Sequence, residues 1–218
     1  MIPREYRISK ALKESMSLED INALVHQGGV DLGWWTLGYD GSEPHGIDRA
    51  RFLAEYADGF YRATEDLLDL FVEKPVYSDA EGLAILFLFC QFAELALKAG
   101  IESAVVLLQS AGKPLPQVDL KTHNLSDLLQ ILVSLLEPDK LELSEETQEF
   151  INKISSINEM DQAFRYPFDT KRSRVFLADR PAFSMGIFRA EFKIHGVEMN
   201  GFCSWLAESL LTDGQDEI

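Results

Sequence analysis

Between Ala80 and Ala99 the chain reads AEGLAILFLFCQFAELALKA, a stretch apolar on nearly every side of a helix. Its length exceeds that of an ordinary buried strand, and a helix that is hydrophobic all round needs other elements to cover it. The segment therefore predicts a mainly α fold with this helix in the middle of a bundle. Gln91, Glu94 and Lys98 interrupt the apolar run before it reaches the roughly 20 residues of a membrane span. The expectation is a core helix and no membrane partner.

The flanking sequence supplies the covering helices. Ser17-Leu-Glu-Asp20 places an acid three residues after a capping hydroxyl, so a short helix starts there and stops at Gly28-Gly29. Residues 30–46 hold five glycines or prolines and read as a loop pinned by Trp34, Trp35 and Tyr39. From Ile47 to Glu73, Phe52, Tyr56, Phe60, Leu67 and Phe71 recur at helical spacing, with Pro75 as the stop. Ser78 or Asp79 caps the central helix, which either bends at Gly100 or continues through IESAVVLLQSAG. After a loop enforced by Gly112, Pro114 and Pro116, Asn124 and Ser126 both offer caps for LLQILVSLLE, and Ser144 caps EETQEFINKISSI. RVFLA and AFSMGIF, flanking Asp179-Arg-Pro181, fit a small β-hairpin or an irregular loop, and a final helix is predicted from about Val197 to Leu211.

The expected organisation has three parts forming one structural domain. Residues 1–78 are an N-terminal extension and first long helix, residues 79–167 the helical core, and residues 168–218 a basic loop or hairpin with the C-terminal helix. The 218 residues, 46% hydrophobic and 26% charged, suffice for a large core without staples. Cys90 and Cys203 have no metal-ligand spacing, which fits a reducing compartment and no zinc. The N-terminus lacks the apolar core of a secretory signal, so the expected location is cytoplasmic.

A net charge of −16 argues against broad, non-specific phosphate binding. The cations are unevenly placed, however. Between Gln162 and His195 seven Lys or Arg (Arg165, Lys171, Arg172, Arg174, Arg180, Arg189 and Lys193) face only three acids. Such local asymmetry could build an anion site on an acidic protein.

The chemistry is expected along the polar stripe of the central helix. Gln91, Glu94 and Lys98 are spaced three and four apart and share one face, with Glu94 and Lys98 in the favourable acid-first order. A buried carboxylate calls for partners, and His123, Arg165 and Tyr166 are the nearest in topology. A neutral imidazole just before a helix cap can accept a proton. No phosphate loop, GxSxG, HExxH or EF-hand pattern is present. The stripe Arg4, Arg7, Lys10 and Lys13 reads as a solvated N-terminal arm.

AELALKAG (93–100), KTHNLSDLL (121–129) and FRYP (164–167), in that order on successive helices, resemble the HEPN domain family of prokaryotic toxin–antitoxin and anti-phage systems. The resemblance covers about 90 of the 218 residues. It implies an up-and-down bundle of four or five helices, a homodimer formed through the helices of the polar stripe, and RNA or a partner protein such as an antitoxin as ligand. No cofactor and no metal are implied, since catalytic members are metal-independent ribonucleases. These pair an Arg with a His across a spacer of four to six residues: the His exchanges protons with the 2′-hydroxyl and leaving oxygen, and the Arg neutralises charge developing on phosphorus.

The resemblance places Glu94, His123 and Arg165 in catalytic positions, and Gln91, Lys98, Tyr166, Lys171, Arg172 and Arg174 around the ligand. Here the chain departs from the family. Arg165 is followed by Pro167, Phe168 and Asp169 with no His at the required distance. The one match to the Arg/His pattern, Arg189-AEFKI-His195, lies outside the similar stretch and forms an alternative pair. The departure favours a non-catalytic or weakly catalytic module that binds a nucleic acid, nucleotide or partner protein over a metal-independent endoribonuclease.

Overall fold

The computed structural model describes residues 47–73, 78–114, 118, 120–136, 142–157, 164 and 183–212. All of them fall within one compact unit, Pro44–Ile218. The N-terminal helix at Ser17, the Trp34/Trp35 loop and the Arg4–Lys13 stripe lie outside the described residues.

The helices are α1 (Ile47–Glu73), α2 (Asp79–Ser110), α3 (Leu125–Leu136), α4 (Glu145–Ile157), α5 (Met185–Glu191) and α6 (Val197–Thr212). A π-helical turn, Phe192–Gly196, joins α5 to α6 without a break, so the described residues form five helical rods. No strand occurs among the described residues. α2 is the centre: α1, α3 and α6 pack against it, α4 covers α3, and α5 lies along α1.

Both ends of α2 are written locally. Ser78 Oγ accepts from Glu81 N at 3.4 Å while the Glu81 carboxylate accepts from Ser78 N at 3.3 Å, a reciprocal capping box. At the far end Gly112 adopts φ +65°, a conformation glycine reaches without a Cβ penalty. Lys113 N donates to Leu108 O and Gly112 N to Gln109 O, the two bonds of a Schellman stop.

Gly100 does not bend α2. Its hydrogen lets two helices close in, for a Cβ there would stand 3.3 Å from Cys203 Sγ on α6 and 3.3 Å from both Leu132 methyls on α3. Cys203 is buried in this junction, and burial pushes its thiol up to about 12.

The core is aromatic where α2, α4 and the last rod meet. Phe89 stands edge-on to Phe150 at 5.3 Å, Phe188 at 5.4 Å, and Phe92 and Phe192 at 6.0 Å. α2 is the one described helix long and apolar enough to cross a membrane, yet 67% of its most apolar window is buried within the bundle. That burial is what a core helix shows.

One expectation is corrected. The second arm of the anticipated hairpin, AFSMGIF, contains the start of α5: Ser184 Oγ accepts from Ile187 N at 3.3 Å, and Phe188 and Phe192 project one turn apart into the core. The first arm and the turn lie outside the described residues. The last helical rod thus begins twelve residues before Val197. Leu68 and Phe71 of α1 and Met199, Cys203 and Leu206 of α6 are buried in the same core as α2.

Candidate functional site

Glu94 lies mid-way along α2 and is only 8% exposed. Its Oε1 receives Lys98 Nζ at 2.9 Å from one turn along the same helix. The same oxygen meets His123 Nδ1 at 2.9 Å, across 29 residues of chain. The carboxylate and ammonium are both largely buried and neutralise one another, whereas the His123 side chain is 57% exposed. Removing two such charges from water is unfavourable unless they pair closely.

His123 owes its position to the turn that starts α3. Asn124 is the N-cap, its Oδ1 accepting from Asp127 N at 3.0 Å, and Thr122 Oγ1 accepts from Asn124 N at 3.1 Å. Ser155 on α4 ties the same end down by accepting from Ser126 N at 3.3 Å. With the backbone fixed on both sides, the imidazole is held by Nδ1. The two ring nitrogens lie on opposite edges, so Nε2 is directed away from Glu94 on an exposed ring. A carboxylate behind one nitrogen orients an imidazole and stabilises it when the other takes a proton.

Gln91 begins the stripe one turn before Glu94. Its Nε2 is buried and has no hydrogen-bond partner. Arg165, Tyr166, Lys171, Arg172 and Arg174 lie outside the described residues, so their relation to Glu94 is not defined. Phe164, immediately before Arg165, is buried in the core.

The alternative pair is not brought together on one partner. Arg189 Nε bonds Asp69 Oδ1 on α1, and Lys193 Nζ reaches Asp69 Oδ2 at 3.2 Å. The Arg189 hydrogen bond holds the Asp69 carboxyl below its usual range. His195 turns instead to α4, where its Nδ1 meets Thr147 Oγ1 at 2.9 Å and its ring leans on Phe150 at 5.3 Å.

That second histidine belongs to a network that sequence reading did not assemble. Glu198 accepts from Ser144 N and Ser144 Oγ, each at 2.7 Å, and from the Thr147 hydroxyl. With both hydroxyl hydrogens used on the carboxylate, Thr147 Oγ1 can only accept from His195, which fixes the hydrogen on Nδ1. Burial raises the Glu198 carboxyl, but the Thr147 and Ser144 hydrogen bonds outweigh it and hold the group below its ordinary value. Thr147 is fully buried, so this cluster clamps α4 to the last rod. Its signals were the His195-x-x-Glu198 spacing and the Ser144-x-x-Thr147 cap.

Among the described residues no group of three or more His, Cys, Asp or Glu is placed to hold a metal ion. Comparison with protein-family models, curated proteins and solved structures gives no match.

Proposed function

We propose that the chain is a HEPN-like module that binds RNA beside His123, working in the cytoplasm of a prokaryote in a defence or stress setting. The carrying observation is the His123 Nδ1 to Glu94 Oε1 contact of 2.9 Å. It joins two of the three segments on which the sequence resemblance rests, through the polar residues that distinguish them. Lys98 cancels the Glu94 charge, so the group presented to a ligand is an oriented imidazole rather than a carboxylate. Such a ring can donate to a phosphate or a base edge, and the cationic 165–174 segment follows in sequence.

The same contact favours a second reading, a metal-independent endoribonuclease. In it His123 Nε2 takes the 2′-hydroxyl proton, Glu94 supports the resulting imidazolium, and Arg165 faces the phosphorus. One experiment separates the two: labelled single-stranded RNA is titrated with the wild type, His123→Ala and Arg165→Ala in EDTA, following both anisotropy and strand length. The module reading expects binding with intact RNA, and at least tenfold weaker binding by His123→Ala. Cleavage lost in either variant moves the assignment to the nuclease. No binding and no cleavage at any protein concentration refutes both.

A further inference from the structure

The outer face of the last rod is apolar along its length. Ile187 is 60% exposed, Ile194 64%, Val197 52% and Trp205 49%, with the small exposed residues Ala190 and Gly201 between them. These positions recur three or four apart and form one row, about 27 Å long at 1.5 Å per residue. The inner face is already taken up in the core by Phe188, Phe192, Met199, Cys203 and Leu206. A row of large apolar side chains turned outward is a mark of a surface that something covers.

Gly201 tells how closely that cover approaches. It stands inside α6, where glycine is a poor helix former, and a Cβ added to it would meet nothing within 4 Å. Gly100 and Gly196, by contrast, are hemmed in by Leu132 and Cys203 and by Phe192. The packing of the bundle itself therefore gives no reason for glycine at 201. The missing side chain leaves a notch between Val197 and Trp205 that a large side chain of an adjoining helix would enter, as a ridge enters a groove.

The two edges of the row differ in charge. Towards α1, Arg189 and Lys193 share Asp69, so cations and acid offset one another. Towards α4 the acids prevail. The Glu198 carboxylate takes its hydrogen bonds from two hydroxyls and a backbone amide. Glu146 and Glu149 are exposed on the face of α4 that carries Lys153, and the Lys153 ammonium reaches Glu191 of the rod. No strand edge among the described residues offers pairing to an extended peptide, whereas a straight row five turns long matches the apolar face of a helix.

We propose that the outer face of the last rod is the docking surface for an amphipathic helix of another protein. The apolar side of that helix lies along Ile187 to Trp205, and its Lys and Arg side chains face Glu146, Glu149 and Glu198. This docking does not depend on what His123 binds.

The test titrates the full chain into a fluorescent Leu/Lys peptide of about 18 residues, with leucines three and four apart, and follows anisotropy. A Leu/Glu peptide of the same pattern is the charge control. The wild type should bind the Leu/Lys peptide at least tenfold more tightly than the control. The charge-neutral change Ile194→Gln/Val197→Gln should weaken that binding about tenfold, and Glu146→Lys/Glu149→Lys should do the same. Gly201→Leu should also weaken it about tenfold by filling the notch, while Tm stays unchanged or rises, which separates lost docking from lost folding. Absence of binding, equal binding of the two peptides, or wild-type affinity in Ile194→Gln/Val197→Gln or in Gly201→Leu overturns the proposal. Flotation of the wild type with phosphatidylcholine vesicles, abolished by Ile194→Gln/Val197→Gln, would give the row to a lipid surface instead. A doubled mass in light scattering, abolished by the same variant, would give it to a second copy of the chain.

Discussion

His123 reaches the Glu94 carboxylate at 2.9 Å and shares its Oε1 with Lys98, so one buried oxygen links the central helix to the turn that opens α3. The three side chains differ sharply in exposure, and their substitutions should differ accordingly. Glu94→Leu strands the largely buried Lys98 ammonium and should destabilise the fold by about 3 kcal/mol, the scale for breaking a buried ion pair. His123→Ala removes an exposed partner and should cost under about 1 kcal/mol. Urea titration of both variants measures the gap. Equal losses would mean that Glu94 and Lys98 are not held together as described.

Gln91 offers the opposite case. Its Nε2 is buried without a partner, so replacing it with the similarly sized Met removes an unmet donor. Gln91→Met should be neutral or stabilise by up to about 1 kcal/mol, raising Tm by roughly 2–4 °C in a chain of this size. If the same variant also loses RNA affinity, the orphaned amide is one of the groups that the ligand satisfies.

Gly196 is required by its neighbour. A Cβ there would come within 2.9 Å of Phe192 Cδ2 and Cε2, and that ring is fully buried among Phe89, Phe92 and Phe188. Gly196→Ala should therefore destabilise by about 1–3 kcal/mol, as overpacking does, despite the better helix propensity of alanine. Thermal unfolding followed by circular dichroism reads the difference. A Tm unchanged or raised would show that the ring has room to move.

Acid should weaken the clamp between α4 and the last rod. The folded Glu198 carboxyl lies below its ordinary value of 4.5, so the unfolded chain takes up the proton first. The stabilisation is present above about that pH and is lost as pH falls through the folded value. Asp69, held down by Arg189, acts in the same direction. Glu198→Gln should be less stable than wild type at neutral pH, with the difference shrinking as the pH drops below 4.5. A constant difference across that range would remove Glu198 from the linkage.

Much of the bundle was legible because its signals are local. α1 ends at Glu73, just short of Pro75, and Ser78, Asn124 and Ser144 accept from the first-turn amides of α2, α3 and α4. The polar stripe was legible for a related reason: polar residues three and four apart stand out on an otherwise apolar helix. The start of the last rod was not. Ala182-Phe-Ser-Met-Gly-Ile-Phe188 alternates as a strand would, and only the packing of Phe188 and Phe192 against Phe89 reveals a helix. Gly100 left a bend and a continuous helix equally open, because its reason lies in α3 and α6, each distant in sequence. The Glu198 network escaped for the same cause, since Ser144 is 54 residues away and contributes through its fold position.

The Glu198 clamp has a consequence for the face turned outward. Greasy surfaces slide: a rod moved one turn along its neighbours would trade one set of phenyl contacts for another at modest cost. The carboxylate cannot follow, because its three donors on Ser144 and Thr147 are found in one setting only, and any other would leave it dry and unmatched. Glu198 thus works as an index pin for the rod's rotation and height. The outward residues of the rod, Ile187, Ile194, Val197 and Trp205, are therefore presented at a single orientation.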